Sequence, residues 1–241
     1  MRTEDGKWKA RRPLSPRRYD KMTLMSDADK TQSKKNRLSQ LHRELEKLAD
    51  QGELPLAQKA RDIIPGEGDP EAQVMLIGEA PGYYEHLKRR PFVGRSGQLL
   101  RKVLVEVGLP PEVVYISNII KVRPPDNRDP LPKEILAFKP FLDQEIKIIQ
   151  PELMVSLGRF SMAKFLPDVR ISQVHGRLHK VTWQGRQLYV LPMYHPAAAL
   201  RSTKVKQSFL TDFQKIKKIL PWIKEQKKFQ ASKSQVIKHL F

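Results

Sequence analysis

The chain contains no cysteine in its 241 residues. This absence excludes disulfide bonds, thiolate zinc sites, cysteine-ligated iron–sulfur clusters and cysteine nucleophiles. Long hydrophobic runs are missing as well, and no segment approaches the roughly 18 apolar residues of a membrane-spanning helix. Residues 1–19 are charged and lack the apolar stretch of a secretory signal. We therefore expect a cytoplasmic protein with no membrane partner.

Acidic residues are scarce relative to basic ones. The chain has 26 Asp and Glu and 45 Lys and Arg, which gives a net charge of +19. Residues 1–37 carry a net +7 and residues 201–241 a net +9, which leaves only +3 for residues 38–200. Clustered positive charge favours a polyanionic partner, since binding releases the counterions of the polymer. Nucleic acid is the expected partner. Solubility, ribosomal RNA or an acidic protein remain alternative explanations.

Composition divides the chain into three predicted segments. Residues 1–37 are polar, basic and poor in aliphatic side chains, so we expect a disordered extension there. Residues 38–222 carry the periodic apolar patterns of a folded domain, which begin with leucines at helical spacing over about 38–50. Residues 223–241 are expected to form a basic C-terminal tail.

Short apolar runs alternate with helical patterns through the domain. Strands are predicted over 74–77, 113–120 and 153–157, and a hairpin over 181–192; helices are predicted over 96–108, 132–150 and from 197 onward. This alternation indicates an α/β fold with a parallel sheet covered on both faces. Ligands of such folds bind at the carboxyl ends of the strands, so the chemistry should follow Ile77, surround Asn118 and follow Pro192.

Three polar segments lie at these strand ends. The first, GEAPG at 78–82, fixes a tight backbone path with exposed amides, although a plain turn is the alternative. The second places Asn118, whose amide can read a base edge, before a Pro-rich loop in which Arg123 and Arg128 could meet phosphates. The third places His195 before a helix, where it could donate to developing negative charge or simply cap the turn.

Together, and in this order, the segments resemble the uracil-DNA glycosylase superfamily, most closely its family 4 branch. The resemblance covers roughly residues 38–220 and rests on GEAPG at 78–82, RPFVGRSGQLL at 90–100, Asn118 with RPP at 123–125, and His195-Pro196. It implies a three-layer α/β/α fold around a central, mainly parallel four-stranded sheet. It also implies an enzyme of base excision repair that flips uracil out of DNA and hydrolyses its N-glycosidic bond, leaving an abasic site.

The resemblance implies a role for each matching residue. Phe92 would stack on the uracil and Asn118 would read its edge, while His195 would stabilise the departing anion. Glu79 would lie near the attacking water or the sugar, and Glu85 would orient water or crowd the pyrimidine 5-position. No metal is implied. The other matching positions belong to the uracil-binding loop or to predicted DNA contacts: Gly78, Gly82, Arg123, Arg128, Leu200 and Arg201.

The chain departs from the family pattern at the iron–sulfur cluster of family 4. The four cysteine positions of that cluster are occupied by Gln51, Leu54, Val122 and Phe138. Three apolar replacements are what a cluster site converted into ordinary core would need, so we predict no cofactor. In the first loop, His86 stands where the family usually has an acid and Arg89 where it usually has glycine.

Three functional hypotheses follow. The first is an active, monomeric, monofunctional uracil-DNA glycosylase without an iron–sulfur cluster. The second is a catalytically inactive glycosylase-fold protein that binds nucleic acid as a scaffold subunit of a polymerase or ribonucleoprotein assembly. The first is the favoured hypothesis, because the pocket residues Phe92, Asn118 and His195 are all present. The lost cysteines, the altered loop and the basic ends support the second. The third is a glycosylase of altered specificity, which acts on hypoxanthine or xanthine or forms a covalent trap of the abasic product. The unusual His86 in the first loop is the reason to consider it.

Overall fold

The computed structural model describes residues 33–240, with the side chains of residues 33–229. Six strands of this part of the chain form one sheet, in the order β1-β3-β2-β4-β6-β5. The strands are β1 (Glu67–Gly68), β2 (Val74–Gly78), β3 (Val114–Asn118), β4 (Leu153–Leu157), β5 (His179–Trp183) and β6 (Arg186–Met193). The middle four are parallel, and each edge strand pairs antiparallel with its neighbour. The predicted mainly parallel sheet is confirmed, and β5 and β6 form the predicted hairpin, while β1 is an antiparallel edge strand that was not predicted.

Helices connect the strands and cover the sheet. They are α1 (Lys34–Asp50), α2 (Tyr83–Lys88), α3 (Arg95–Glu106), α4 (Pro132–Ile149), α5 (Arg159–Ala163), α6 (Ile171–Val174), α7 (Pro196–Arg201) and α8 (Thr203–Leu240). Short 3-10 turns lie at Ala60–Asp62, Pro111–Val113 and Pro125–Asn127. None of the helices described is both long and apolar enough to cross a membrane.

The central strands are apolar on both faces, so the sheet needs a layer of helices on each side. Along β2, Met75 and Ile77 belong to a buried cluster with residues of α1 and α4, whereas Val74 and Leu76 belong to one with residues of α3 and α8. Successive side chains of a strand point to opposite faces, so each face needs its own helical layer. The predicted three-layer α/β/α fold is therefore confirmed.

The ends of the domain differ from the predicted boundaries. Helix α1 begins at Lys34, four residues before the predicted start, because the Ser33 hydroxyl accepts a hydrogen bond from the Asn36 N–H at 3.3 Å and caps it. Helix α8 continues through the predicted boundary after residue 222, and Ile223 is completely buried. The packed domain therefore includes Ile223. Residues 1–32 of the predicted extension lie outside the described residues.

The parallel arrangement gathers four loops at one edge of the sheet. Strands β2, β3, β4 and β6 all end there, and Glu79, Asn118, Gly158 and His195 stand at or just beyond their carboxyl ends. This edge is where an open α/β sheet holds its ligand.

Candidate active site

A cavity of about 660 Å³ opens at the carboxyl edge of the four parallel strands. We call it the cleft. Eight predicted site residues line it: Glu79, Gly82, Glu85, Phe92, Asn118, Arg128, His195 and Arg201. The predicted segments, which are far apart in sequence, therefore share one space of the size that small ligands occupy.

The floor of the cleft is built by Asn118 and Gly78, which are partners in neighbouring strands. Asn118 is buried, and its Oδ1 accepts no hydrogen bond from any residue the structure describes. A Cβ atom on Gly78 would lie 2.3 Å from this oxygen and 2.4 Å from Cζ of Phe92. Glycine thus lets the amide and the aromatic ring approach the strand end. The orphan oxygen is left to accept a donor from a ligand.

The ring of Phe92 forms one wall of the cleft and lies 5.9 Å from the His195 ring, centroid to centroid. Phe92 has a left-handed backbone, with φ of 54°, which costs a non-glycine residue about 1 kcal/mol or more. Arg101 holds this conformation by donating from Nε to the Phe92 carbonyl at 2.8 Å and from the same guanidinium to the Pro91 carbonyl at 2.9 Å. The position of the ring is therefore fixed by its own turn and by helix α3.

Glu67 supports this turn from the edge strand β1. Its carboxylate pairs with Arg101 and also accepts a hydrogen bond from Arg90 Nε at 2.8 Å. Partial burial alone would raise the pKa of Glu67, but the hydrogen bonds from Arg90 and Arg101 outweigh it and lower that pKa. Sequence reasoning missed Glu67 and Arg101, since no local motif links residues 34 positions apart.

His195 follows β6 and stands at the N-cap of α7. Its Nδ1 accepts a hydrogen bond from the Ala197 N–H at 3.2 Å, so the proton of the neutral ring lies on Nε2. Withdrawal from water lowers the pKa of His195 from 6.5 to about 4, and the positive charge of Arg201 adds to this shift. At neutral pH the residue is therefore an uncharged imidazole with one free N–H donor.

Glu79 is half-buried at the end of β2, and no described residue donates a hydrogen bond to its carboxylate. Burial raises the pKa of Glu79, and the nearby Asp129 raises it further, while Arg159 and Arg201 act in the opposite direction. A free carboxylate of raised pKa in a cleft is suited to accept a proton.

Glu85 lines the cleft and also binds the backbone of the loop that carries Phe92. It is buried, and its Oε1 accepts the N–H groups of Val93 at 3.0 Å and Gly94 at 2.8 Å. A Cβ atom on Gly82 would lie 2.9 Å from its Oε2, so the loop is closed tightly around it. This geometry favours a positioning role, in which Glu85 fixes the turn that carries Phe92.

The four predicted DNA-binding residues occupy different places. Arg201 lines the cleft, and the neighbouring Leu200 is 43% exposed, as a residue that probes DNA must be. Arg128 also lines the cleft, but its guanidinium donates to both carboxylate oxygens of Glu134, at 2.6 and 2.9 Å. Arg123 lies outside the cleft, where its Nε donates to Oδ1 of Asn127 at 2.8 Å.

Two further cleft residues were not predicted. Arg159 is the first residue of α5, after the turn at Gly158 that follows β4, and it forms an ion pair with Asp129. Both residues line the cleft. The rule that ligands bind beyond the carboxyl ends of parallel strands applies to β4 as well, so this signal was present in the sequence.

The residues at the four family cysteine positions do not fit a metal cluster. Leu54, Val122 and Phe138 are buried within one apolar cluster, whereas Gln51 is exposed at the end of α1. Apolar side chains offer iron no ligand. Among the residues described, no group of three or more His, Asp or Glu side chains is arranged to hold a metal ion.

The two unusual loop residues lie away from the cleft. His86 faces a second cavity beside it. Arg89 ends α2 with a left-handed φ of 50°, the backbone for which glycine is best suited. Its side chain donates to the Glu46 carboxylate at 2.5 Å and to the Ile63 carbonyl at 3.3 Å. These contacts offset the conformational cost of an arginine there.

Comparison with known proteins places this geometry in a family. The family model of the uracil DNA glycosylase superfamily matches residues 65–223. The type-4 uracil-DNA glycosylase of Sulfurisphaera tokodaii is 40% identical over 170 residues, covering 68% of this chain and 77% of the relative. Those of Saccharolobus solfataricus and Archaeoglobus fulgidus are each 40% identical, over 166 and 161 residues. These matches cover 66% and 64% of this chain, and 77% and 80% of the relatives.

Proposed function

The chain belongs to the uracil-DNA glycosylase superfamily, and from this premise we propose a monofunctional uracil-DNA glycosylase that works without an iron–sulfur cluster. It acts on uracil-containing DNA as a DNA glycosylase of base excision repair. The observation that carries the proposal is the meeting of three groups in one cleft. These groups are the orphan amide oxygen of Asn118, the Phe92 ring and the free Nε2–H of His195.

The cleft reads a base that has left the helix. Flipping a nucleotide costs a few kcal/mol of stacking and pairing, which contacts in the pocket must offset. The Phe92 ring offers a stacking surface. Oδ1 of Asn118 accepts the N3–H of uracil, while the amide nitrogen can donate to O4. Cytosine, which has no N3–H and carries an amino group at position 4, presents the opposite pattern.

Bond cleavage releases the base as an anion. The C1′–N1 bond breaks with its electron pair going to uracil, and the oxygen of a water molecule bonds to C1′. The Nε2–H of neutral His195 donates a hydrogen bond to uracil O2, where negative charge develops. Glu79 takes the proton of the attacking water, as its raised pKa and unpaired carboxylate allow. The products are free uracil and an abasic site.

The absence of a cluster is part of the proposal. It is supported by the complete lack of cysteine and by the burial of Leu54, Val122 and Phe138 in one apolar cluster. Apolar packing can fix the segments around residues 54, 122 and 138 relative to one another, as a cluster does in relatives that hold one.

Alkali treatment of a uracil-containing oligonucleotide tests the proposal. Wild-type protein should produce strand scission only after alkali, because a single-function enzyme leaves the abasic strand intact. His195→Ala should lower single-turnover excision about 10²–10³-fold, the usual effect of losing one preorganised donor, with little change in DNA affinity. His179→Ala, on edge strand β5 outside the cleft, is the matched control. Absence of scission with wild-type protein would favour the scaffold hypothesis instead.

A further inference from the structure

Helix α2 presents two exposed aromatic side chains beside the cleft. Tyr83 and Tyr84 are 50% and 54% exposed, and their rings meet edge to face with centroids 5.4 Å apart. Tyr83 directly follows Gly82, which lines the cleft, so the aromatic pair stands at the rim. The proposed excision mechanism does not use these rings, and an exposed aromatic pair on a helix this short contributes little to packing.

Arg123 connects the aromatic pair to the basic loop. Its guanidinium lies 5.2 Å from the centroid of the Tyr83 ring, in a cation–π contact. The next residue, Pro124, lines the cleft, and Asn127, which accepts from Arg123, lines it too. The Tyr83–Arg123 stack therefore lies beside the cleft, next to lining residues in both segments, and Asn127 fixes the Arg123 guanidinium.

A second cavity, of about 300 Å³, lies beside the cleft, and His195 does not line it. It shares Pro124 with the cleft, and Lys59, Arg61, His86 and Arg123 line it. Lys59 and Arg61 form no ion pair within the part of the chain that the structure describes. The one carboxylate in the lining, that of Asp62, accepts the backbone N–H groups of Gln58 and Lys59. The cavity therefore carries an uncompensated positive charge suited to phosphate.

We infer that Tyr83, Arg123 and this basic cavity form a track for the single-stranded DNA that adjoins the flipped uracil. A base next to the uracil stacks on the Tyr83 ring, and the following phosphate enters the cavity between Lys59 and Arg61. Aromatic platforms joined to basic grooves are how proteins hold single strands without sequence preference. In an intact duplex the neighbouring base is stacked within its own strand and paired with the complementary strand, so it cannot reach Tyr83. The track therefore makes uracil in unpaired DNA the preferred substrate. This inference rests on the proposed function at one point only: the uracil bound in the cleft determines which neighbouring base reaches Tyr83.

Binding to uncleavable oligonucleotides tests the track independently of catalysis. The probes are single-stranded and duplex oligonucleotides with a tetrahydrofuran abasic analogue, flanked by 2-aminopurine. Tyr83→Leu should weaken single-strand binding about tenfold, within the range expected for removing one base–aromatic stack, and duplex binding much less. It should also restore the 2-aminopurine emission that stacking quenches. Tyr83→Phe should behave as wild type, and Phe229→Leu, an exposed aromatic on α8, is the matched control.

The basic cavity has its own readout. Replacing Lys59 and Arg61 together by glutamine should lower the slope of log affinity against log salt on single strands, by about 0.7 for each phosphate released. The pair Lys217 and Lys224, which line a different cavity beside α8, is the matched control. Equal losses on single-stranded and duplex probes, or unchanged 2-aminopurine emission in Tyr83→Leu, would overturn the track. If wild-type protein binds the probes as described yet excises no uracil, the proposed function fails while the track stands.

Discussion

The ammonium group of Lys121 donates a hydrogen bond to the backbone carbonyl of Asn118 at 3.1 Å, inside the core. Lys121 is fully buried and also pairs with Glu145 at 2.6 Å. Burial would raise the pKa of Glu145, yet Lys121 and His42 bring it down to about 2. Burial lowers the pKa of Lys121, and Glu145 opposes that shift. The residue that reads uracil in our proposal is thus tied to a buried ion pair.

Breaking this pair should damage both stability and excision. Lys121→Met leaves the Glu145 carboxylate buried without its ammonium partner, with only His42 and the Ser117 hydroxyl beside it, which should cost about 3–5 kcal/mol of unfolding free energy. Urea unfolding measures that loss, and single-turnover excision measures the displacement of Asn118. The double variant Lys121→Met/Glu145→Leu removes both charges and should recover most of the stability. If excision recovers to the same extent, Lys121 supports the fold only and does not position Asn118.

The pH dependence of excision should separate Glu79 from His195. Glu79 must be ionised to accept a proton, and its pKa is raised, so the rate should fall as pH decreases through that raised pKa. The pKa of His195 is lowered to about 4, so its protonation should not shape the profile near 6.5. Single-turnover rates of uracil excision, measured from mildly alkaline to acidic pH, give the pH profile. Glu79→Gln should lower the plateau and abolish the acid limb.

Asp129→Asn supplies the control for this assignment. Asp129 raises the pKa of Glu79, so removing its charge should move the acid limb to lower pH without abolishing it. A limb that stays unchanged in Glu79→Gln but disappears in a His195 variant would contradict the assignment.

The sequence indicated which side chains share the cleft better than it indicated the contacts that hold them in place. Parallel strands bring their carboxyl ends together whatever the details of packing, so the meeting of Glu79, Asn118 and His195 could be predicted. The contacts that hold Phe92 could not, because Arg101 and Glu67 approach it only through tertiary structure. The predicted boundary after residue 222 is a different case, because α8 continues through it. Ile223 continues the buried face of α8 at helical spacing from Ile216, so the pattern was there to be followed.

The proposed conversion of the cluster site into ordinary core leads to a prediction about stability. Phe138 is completely buried, so Phe138→Ala should cost about 3–5 kcal/mol of unfolding free energy, through reduced burial and a residual cavity. Gln51→Ala, at the exposed fourth position, should change it by less than about 0.5 kcal/mol. Urea titration compares the two, and metal analysis of the purified protein should find no iron. A small effect of Phe138→Ala on the free energy of unfolding would mean that packing at the former cysteine positions does not stabilise the core.

The basic N-terminal segment should add affinity without adding specificity. Residues 1–32 carry nine basic and five acidic side chains, a net +4, and deleting them leaves α1 with its Ser33 cap. Because binding to phosphates carries no sequence information, the deletion should weaken binding to duplex DNA at low salt and leave excision at saturating enzyme unchanged. The salt slope should fall by about 0.9 for each phosphate that the protein no longer neutralises.

A second variant separates charge from chain length. Replacing the nine basic residues of 1–32 by glutamine keeps the segment but removes its attraction for phosphate, so it should lower the salt slope as much as the deletion does. If both variants keep the full slope, the segment does not bind DNA. The positive charge of the segment would then fit RNA or an acidic protein surface better than DNA. The scaffold hypothesis would gain support even if the chain excises uracil, because catalysis and docking use different residues.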